Sequence, residues 1–186
     1  GRYHAITRDN RLSNSPDAFF QQLPFYKVKP LYTGAMFLLD RLGMKMHVAS
    51  YALSIAGFLG TGLLCFFLVP RQVDPGLWWR LVMVFCAAGH WPYAVLAAWS
   101  TPDTLYTLFF LAGFAMWVYR RSAAGLGTFL LLAQLTRPDM IMLTPLLLAI
   151  FALDPAGERL PVKAAAIIFA VNAAAYFLVS RLSGHY

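Results

Sequence analysis

Apolar runs long enough to cross a bilayer recur from about residue 46 to about residue 180, and the charges gather in the gaps between them. A chain patterned this way has too little polar surface to cover itself against water. The composition agrees: 60% of residues are hydrophobic, 12% are charged and mean hydropathy is +0.60. The sequence therefore predicts an all-α, polytopic transmembrane helix bundle. A net charge of +7 would suit nucleic acid in a soluble protein. Here the basic residues flank apolar spans, where lipid phosphates are the nearest anions, so membrane lipid is the expected partner and nucleic acid is not. Cys65 and Cys86 each sit alone in an apolar run, which indicates packing rather than a disulfide framework or a zinc site. The chain starts at Gly1 with no basic, apolar and small-residue signal pattern, and reads as an internal piece of a longer protein.

Two regions follow. Residues 1–45 form an extracytoplasmic loop with an interfacial helix, and residues 46–186 form the membrane bundle. The loop carries Pro16, Pro24 and Pro30 and alternates turn formers with bulky apolar side chains. From Pro30 to about Leu42, apolar residues recur at helical spacing behind a proline suited to the first helical position. That piece is too short to span and is expected to lie in the interface. Spans are expected at about Met46–Val69, Leu81–Trp99, Thr104–Tyr119 and Ala164–Val179. Within Leu81–Trp99, Pro92 should kink the helix beside His90 and Trp91. Residues 126–153 would run ~42 Å as one helix, against ~30 Å of hydrocarbon. Arg137-Pro138 lies inside that stretch, so two shorter helices meeting at Thr136-Arg137-Pro138-Asp139 are predicted.

An up-and-back pair there places Arg71, Arg80, Arg120, Arg121, Arg159 and Lys163 on one side, which should be cytoplasmic. The turn at Ser100–Asp103 and the break at Arg137 then face outward. Lys27, Lys29, Arg41 and Lys45 fall outside as well, against the rule.

Arg137 is the most informative single residue. An arginine near the middle of an apolar run costs ~2.5–3.5 kcal/mol on insertion scales and survives beside a cavity, a partner or a substrate. It pairs with Asp139 or Asp103, snorkels to the outer interface, or serves a ligand in a cavity. Asp103 opens a helix, where it either caps free backbone N–H groups or lines the mouth of a polar cavity. His90 has no titratable neighbour in sequence and suits a bonded polar group inside a kinked bundle. His4, His47 and His185 share no ligand spacing, so no zinc site is predicted. No GxGxxG, P-loop, GxSxG or HExxH occurs, which argues against nucleotide-driven transport and common hydrolase chemistry in these residues.

Read in order, Gly1–Arg8 (GRYHAITR), Lys29–Tyr32 (KPLY), Ser100–Phe110 (STPDTLYTLFF) and Leu131–Leu148 (LLAQLTRPDMIMLTPLLL) give the chain its resemblance to the membrane-embedded GT-C glycosyltransferases. Among these it is most similar to the protein mannosyltransferase and lipid A aminoarabinose transferase group. Those enzymes pass a sugar from a polyprenyl-phosphate lipid to an acceptor on the extracytoplasmic side. Their first outer loop opens with Asp-Glu, then after one residue Arg-Tyr, and runs to a Lys-Pro before the next span. Arg2-Tyr3 and Lys29-Pro30 match, which puts the acidic pair and the main catalytic aspartate just upstream of Gly1. The resemblance implies that Lys29 binds the donor phosphate and that Asp103 is the second acidic residue of the site. It also implies that Arg137 faces the same cavity, with Arg2 and Tyr3 near its rim, in a multi-pass protein of the bacterial inner membrane. The resemblance specifies no cofactor and leaves a divalent metal open. As substitutes for the missing base, Asp9 and Asp17 are weak, because each sits among turn residues with no positioned partner.

The chemistry suits those residue types. A phosphate leaving group gathers negative charge as the sugar–oxygen bond breaks, and a cation in a partly dry cavity stabilises that charge more than it would in water. Two other readings compete: a transporter, which would also use a broken helix with an intramembrane charge, and a non-catalytic assembly subunit. Internal repeats would favour a transporter, and no second copy of TRPD or HWP is present.

Overall fold

The computed structural model describes residues 29–68, 101–153 and 159–183, with Leu81, Val82, Val84 and Val95 in between. Among the described residues all regular structure is helical. In chain order the helices are α1 (Pro30–Arg41), α2 (Met46–Leu68), α3 (Asp103–Arg120), α4 (Ala123–Thr136), α5 (Met140–Leu153) and α6 (Val162–Ser183). The expected span at Leu81–Trp99, with Cys86, His90 and the kink at Pro92, lies outside the described residues, apart from the isolated valines and Leu81.

The helix starts and stops follow local chemistry. Pro30 sits at the start of α1, where its missing N–H costs nothing and its fixed φ suits the helix. The helix ends in a turn through Gly43, whose φ of +92° strains any side chain. Tyr32 and Met36, one turn apart, are its buried residues, and the Tyr32 hydroxyl donates to the Ser50 carbonyl at 3.2 Å. Phe37, Leu38 and Leu42 stay exposed.

Helices α2 and α3 touch through small residues. Ser54, Gly57 and Thr61 of α2 are buried against α3. There Thr104 Oγ1 donates to the Ser54 carbonyl at 2.8 Å, and Ser54 Oγ donates to the Thr101 carbonyl at 2.9 Å. The outer face of α2, including Ile55, Leu59, Leu63 and Phe67, is exposed and apolar. Exposed apolar faces of this extent mark a surface made for something other than water.

After α3 the chain reverses through Arg121, which takes the left-handed conformation at φ 52°. Ser122 then caps α4, its Oγ accepting from the Gly125 N–H at 3.0 Å. The long apolar run that follows is broken, as its length requires, at residues 137–139. Arg137 is extended (φ −145°, ψ 103°), the conformation that a following proline imposes, and its N–H makes the last α4 bond, to Ala133. Helix α5 then returns beside α4. Met140, at its start, accepts the Tyr106 hydroxyl at 3.2 Å, near the beginning of α3. Phe151, near its end, packs on Trp117 and Phe114, near the end of α3, with ring centroids 6.1 and 5.6 Å apart. The two helices are therefore an up-and-back hairpin, and its core is built on Trp117, Leu126, Leu130, Met140, Leu148 and Phe151.

Helices α2 and α6, at 23 and 22 residues, are long and apolar enough to cross a membrane. Helix α3 has 18 residues, while α4 and α5 have 14 each and so extend only ~21 Å apiece, short of a ~30 Å core. The two shorter helices expected from the sequence are thus present, meeting at the extended Arg137 and at Pro138.

Helix α6 joins the hairpin through a buried polar contact. Gln134 Nε2 donates to the Asn172 carbonyl, and Asn172 Nδ2 donates to the Ile168 carbonyl at 2.9 Å. Gln134 Oε1 and Asn172 Oδ1 are buried with no partner among the described residues. A buried acceptor left unmatched costs ~1–3 kcal/mol, while each bond made contributes only ~0.5–1.5 kcal/mol. Replacing both residues, Gln134→Leu with Asn172→Leu, should therefore raise the apparent melting temperature in detergent. A fall of several degrees would show that other chain serves these oxygens.

Candidate functional site

The cluster forms at one end of the helices, where three sequence-distant segments converge. Lys29 immediately precedes α1, Asp103 is the first residue of α3, and Arg137 ends α4. Arg137 Nη1 donates to Asp103 Oδ1, 34 residues away, and Nε donates to Asp139 Oδ2 at 2.9 Å. The guanidinium carbon also stands 5.9 Å from the Tyr106 ring centroid, within cation–π range. The sequence left three fates open for Arg137, and the structure selects pairing with both aspartates at once.

For Asp103 the sequence left open a helix cap and a carboxylate holding a basic partner such as Arg137. It does not cap α3: Pro102 holds the cap position, and no side chain bonds the free N–H groups there. Its carboxylate pairs instead with Arg137. Its negative charge still favours the helix N-terminus.

Asp139 was absent from the expected site set, though it stands two residues from Arg137 in the same break. Burial by itself would raise its carboxyl. The hydrogen bond from Arg137, a backbone hydrogen bond and the Arg137 charge outweigh that and hold it below the ordinary carboxylate value, and the Lys29 charge adds to the effect. Lys29 therefore acts on the same cluster. A group lowered in this way stays charged at neutral pH, and its pairing is lost only as pH falls through the lowered value. Tyr106 was missed as well; it lies three residues after Asp103, on the same face of α3.

The side chains of Asp103, Arg137 and Asp139 are 20%, 42% and 62% exposed. The cluster is thus graded from half-dry to wet, and water can reach it from the Asp139 side. The opposite end of the bundle carries Arg120, Arg121, Arg159 and Lys163, brought together by the α3–α4 turn and by the Leu160 N–H donating to the Phe151 carbonyl at 3.0 Å.

Arg2 and Tyr3 lie outside the described residues, as do His90, Asp9 and Asp17, so the expected rim and the alternative acids are not placed. Among the described residues, no three His, Cys, Asp or Glu side chains gather as a metal site would require. The two carboxylates that do converge both face a guanidinium, which does not fit a divalent ion. Compared with known protein families, with curated proteins and with solved structures, the chain matches none.

Proposed function

We propose that this chain is part of a GT-C-type glycosyltransferase, a multi-pass bundle that transfers a sugar from a polyprenyl-phosphate donor to an acceptor at the extracytoplasmic membrane face. The observation that carries the reading is the convergence of Lys29, Asp103 and Arg137, the residues the family resemblance singles out, at one end of the helices. Support also comes from the hairpin α4–α5. Its break holds Arg137 beside two carboxylates, polar groups that a lipid headgroup could meet. The four cations at the other end suit the cytoplasmic side, which would turn this cluster outward. In such a bacterial inner-membrane protein Lys29 and Arg137 would bind the donor phosphate, and Asp103 would orient or deprotonate the acceptor.

Lys29→Ala is expected to lower turnover of a labelled polyprenyl-phosphate sugar by ~10²-fold, with membrane abundance unchanged, because the charge developing on the phosphate loses a neighbouring cation. Equal transfer at equal abundance would reduce Lys29 to an interfacial anchor. A second reading is favoured by the broken hairpin itself, since a transporter also places a charge at a helix break. Uptake or counterflow by reconstituted protein, with no sugar transfer, would select it.

A further inference from the structure

Arg137 is shared unequally. Nε is held by Asp139, two residues along the same break, and Nη1 is held by Asp103, which belongs to another helix. Nη2 has no partner among the described residues. The four charges of the cluster, Lys29, Arg137, Asp103 and Asp139, cancel, so an incoming oxyanion meets a neutral site rather than a positive one. A guanidinium grips an oxyanion best with two adjacent N–H groups; Nη1 and Nη2 offer such an edge, and the charge of the Asp103 carboxylate held on Nη1 repels an anion from it. Asp139 travels with Arg137. Asp103 cannot follow, because the start of α3 is tied to α2 by the Ser54 and Thr104 hydroxyls.

We infer that Asp103 is a displaceable stopper on an oxyanion site. A ligand oxyanion of the phosphate or sulfate class takes Nη1 and Nη2 of Arg137, Asp139 keeps Nε, and the Asp103 carboxylate is released beside the bound ligand. The exchange involves ion pairs alone, with no covalent step. It rests on the reading above that this cluster takes a phosphate-bearing ligand, and it makes a carboxylate available only once that ligand has arrived. Asp103 then has opposite effects on the two stages: its charge weakens binding, and its release serves the acceptor. In a merely structural ion pair, removing Asp103 would leave Arg137 less well placed and binding no tighter.

The test uses the protein in nanodiscs of zwitterionic lipid at neutral pH, titrated calorimetrically with sulfate, and in parallel with a phosphatidic acid headgroup incorporated in the disc. Asp103→Asn should bind about tenfold tighter than the wild type, Asp139→Asn should change by less than about threefold, and Arg137→Gln should not bind. Where Asp103→Asn binds the tighter, a response to sulfate assigns the site to a free ion and a response to the lipid alone assigns it to a headgroup, and either supports the stopper. Asp103→Asn binding no tighter than wild type, or no response to either probe, overturns it. Should Asp103→Asn fold poorly, isotope-edited infrared of ¹³C-aspartate in the wild type reads the same event. Saturating ligand should shift a carboxylate band towards that of an unpaired aspartate, and bound ligand with an unshifted band overturns the inference. Tighter binding by Asp103→Asn in a protein that transfers no sugar leaves the stopper standing and removes the glycosyltransferase reading. Sugar transfer by a wild type whose Asp103→Asn form binds no tighter does the reverse.

Discussion

Gly57→Leu should prevent α2 and α3 from docking, and even Gly57→Ala should lower the melting temperature in detergent by several degrees. A Cβ at Gly57 would stand 2.6 Å from the Leu105 nitrogen and 2.7 Å from the Thr104 carbonyl carbon. Both are backbone atoms of a helix and cannot turn aside, so the two helices must separate. Overpacking of this kind costs ~1–3 kcal/mol. Separation also strains the Thr104–Ser54 and Ser54–Thr101 hydrogen bonds, each contributing ~0.5–1.5 kcal/mol. The sum reaches about 3 kcal/mol, a large share of a domain's net stability. Leu59→Ala, on the exposed face of the same helix, is the control and should barely change the melting temperature. If Gly57→Ala melts with the wild type, the close approach is wrong. The substitution also bears on the site, since Asp103 opens the helix that Gly57 admits.

Arg137→Leu should separate function from stability. The pair partners are 20% and 62% exposed and Arg137 itself 42%, so water screens the ion pairs, and their loss should cost on the order of 1 kcal/mol or less. On the glycosyltransferase proposal, sugar transfer should by contrast fall ~10²–10³-fold, the scale seen when one charge-stabilising group is removed from a reacting centre. Arg137→Lys should restore little, because an ammonium cannot hold the Asp139 carboxylate and grip a phosphate with the geometry of a planar fork. Transfer by isolated membranes, read beside thermal unfolding of the same preparations, checks both halves. Full activity in Arg137→Leu would sink the site, and a stability loss as deep as the activity loss would make Arg137 a structural strut.

The sequence by itself determined where helices begin and end. Pro30 opens α1 and Pro138 breaks the long run because each removes an N–H and restricts backbone angles, effects that act within a turn or two of chain. The excess length of residues 126–153 dictated a break, and Arg137-Pro138 dictated its position. Spans outside the described residues, including that around His90, stay at the level of sequence reading. What the sequence left open was which partners meet. Asp103, Asp139, snorkelling and a ligand were all open to an arginine in an apolar run, since a contact across 34 residues depends on the packing of α3 against α4. That packing comes from tertiary detail: the backbone approach at Gly57 that seats α3 on α2, the turn at Arg121, and the tilted packing of Phe151 on Trp117. The spacing of Ser54, Gly57 and Thr61 carried the signal for the first of these, as small residues three and four apart line one helix face. Asp103 shows the limit most clearly. Local chemistry left a cap and a basic partner both open to it, and only the folded chain brought the Arg137 guanidinium to its carboxylate.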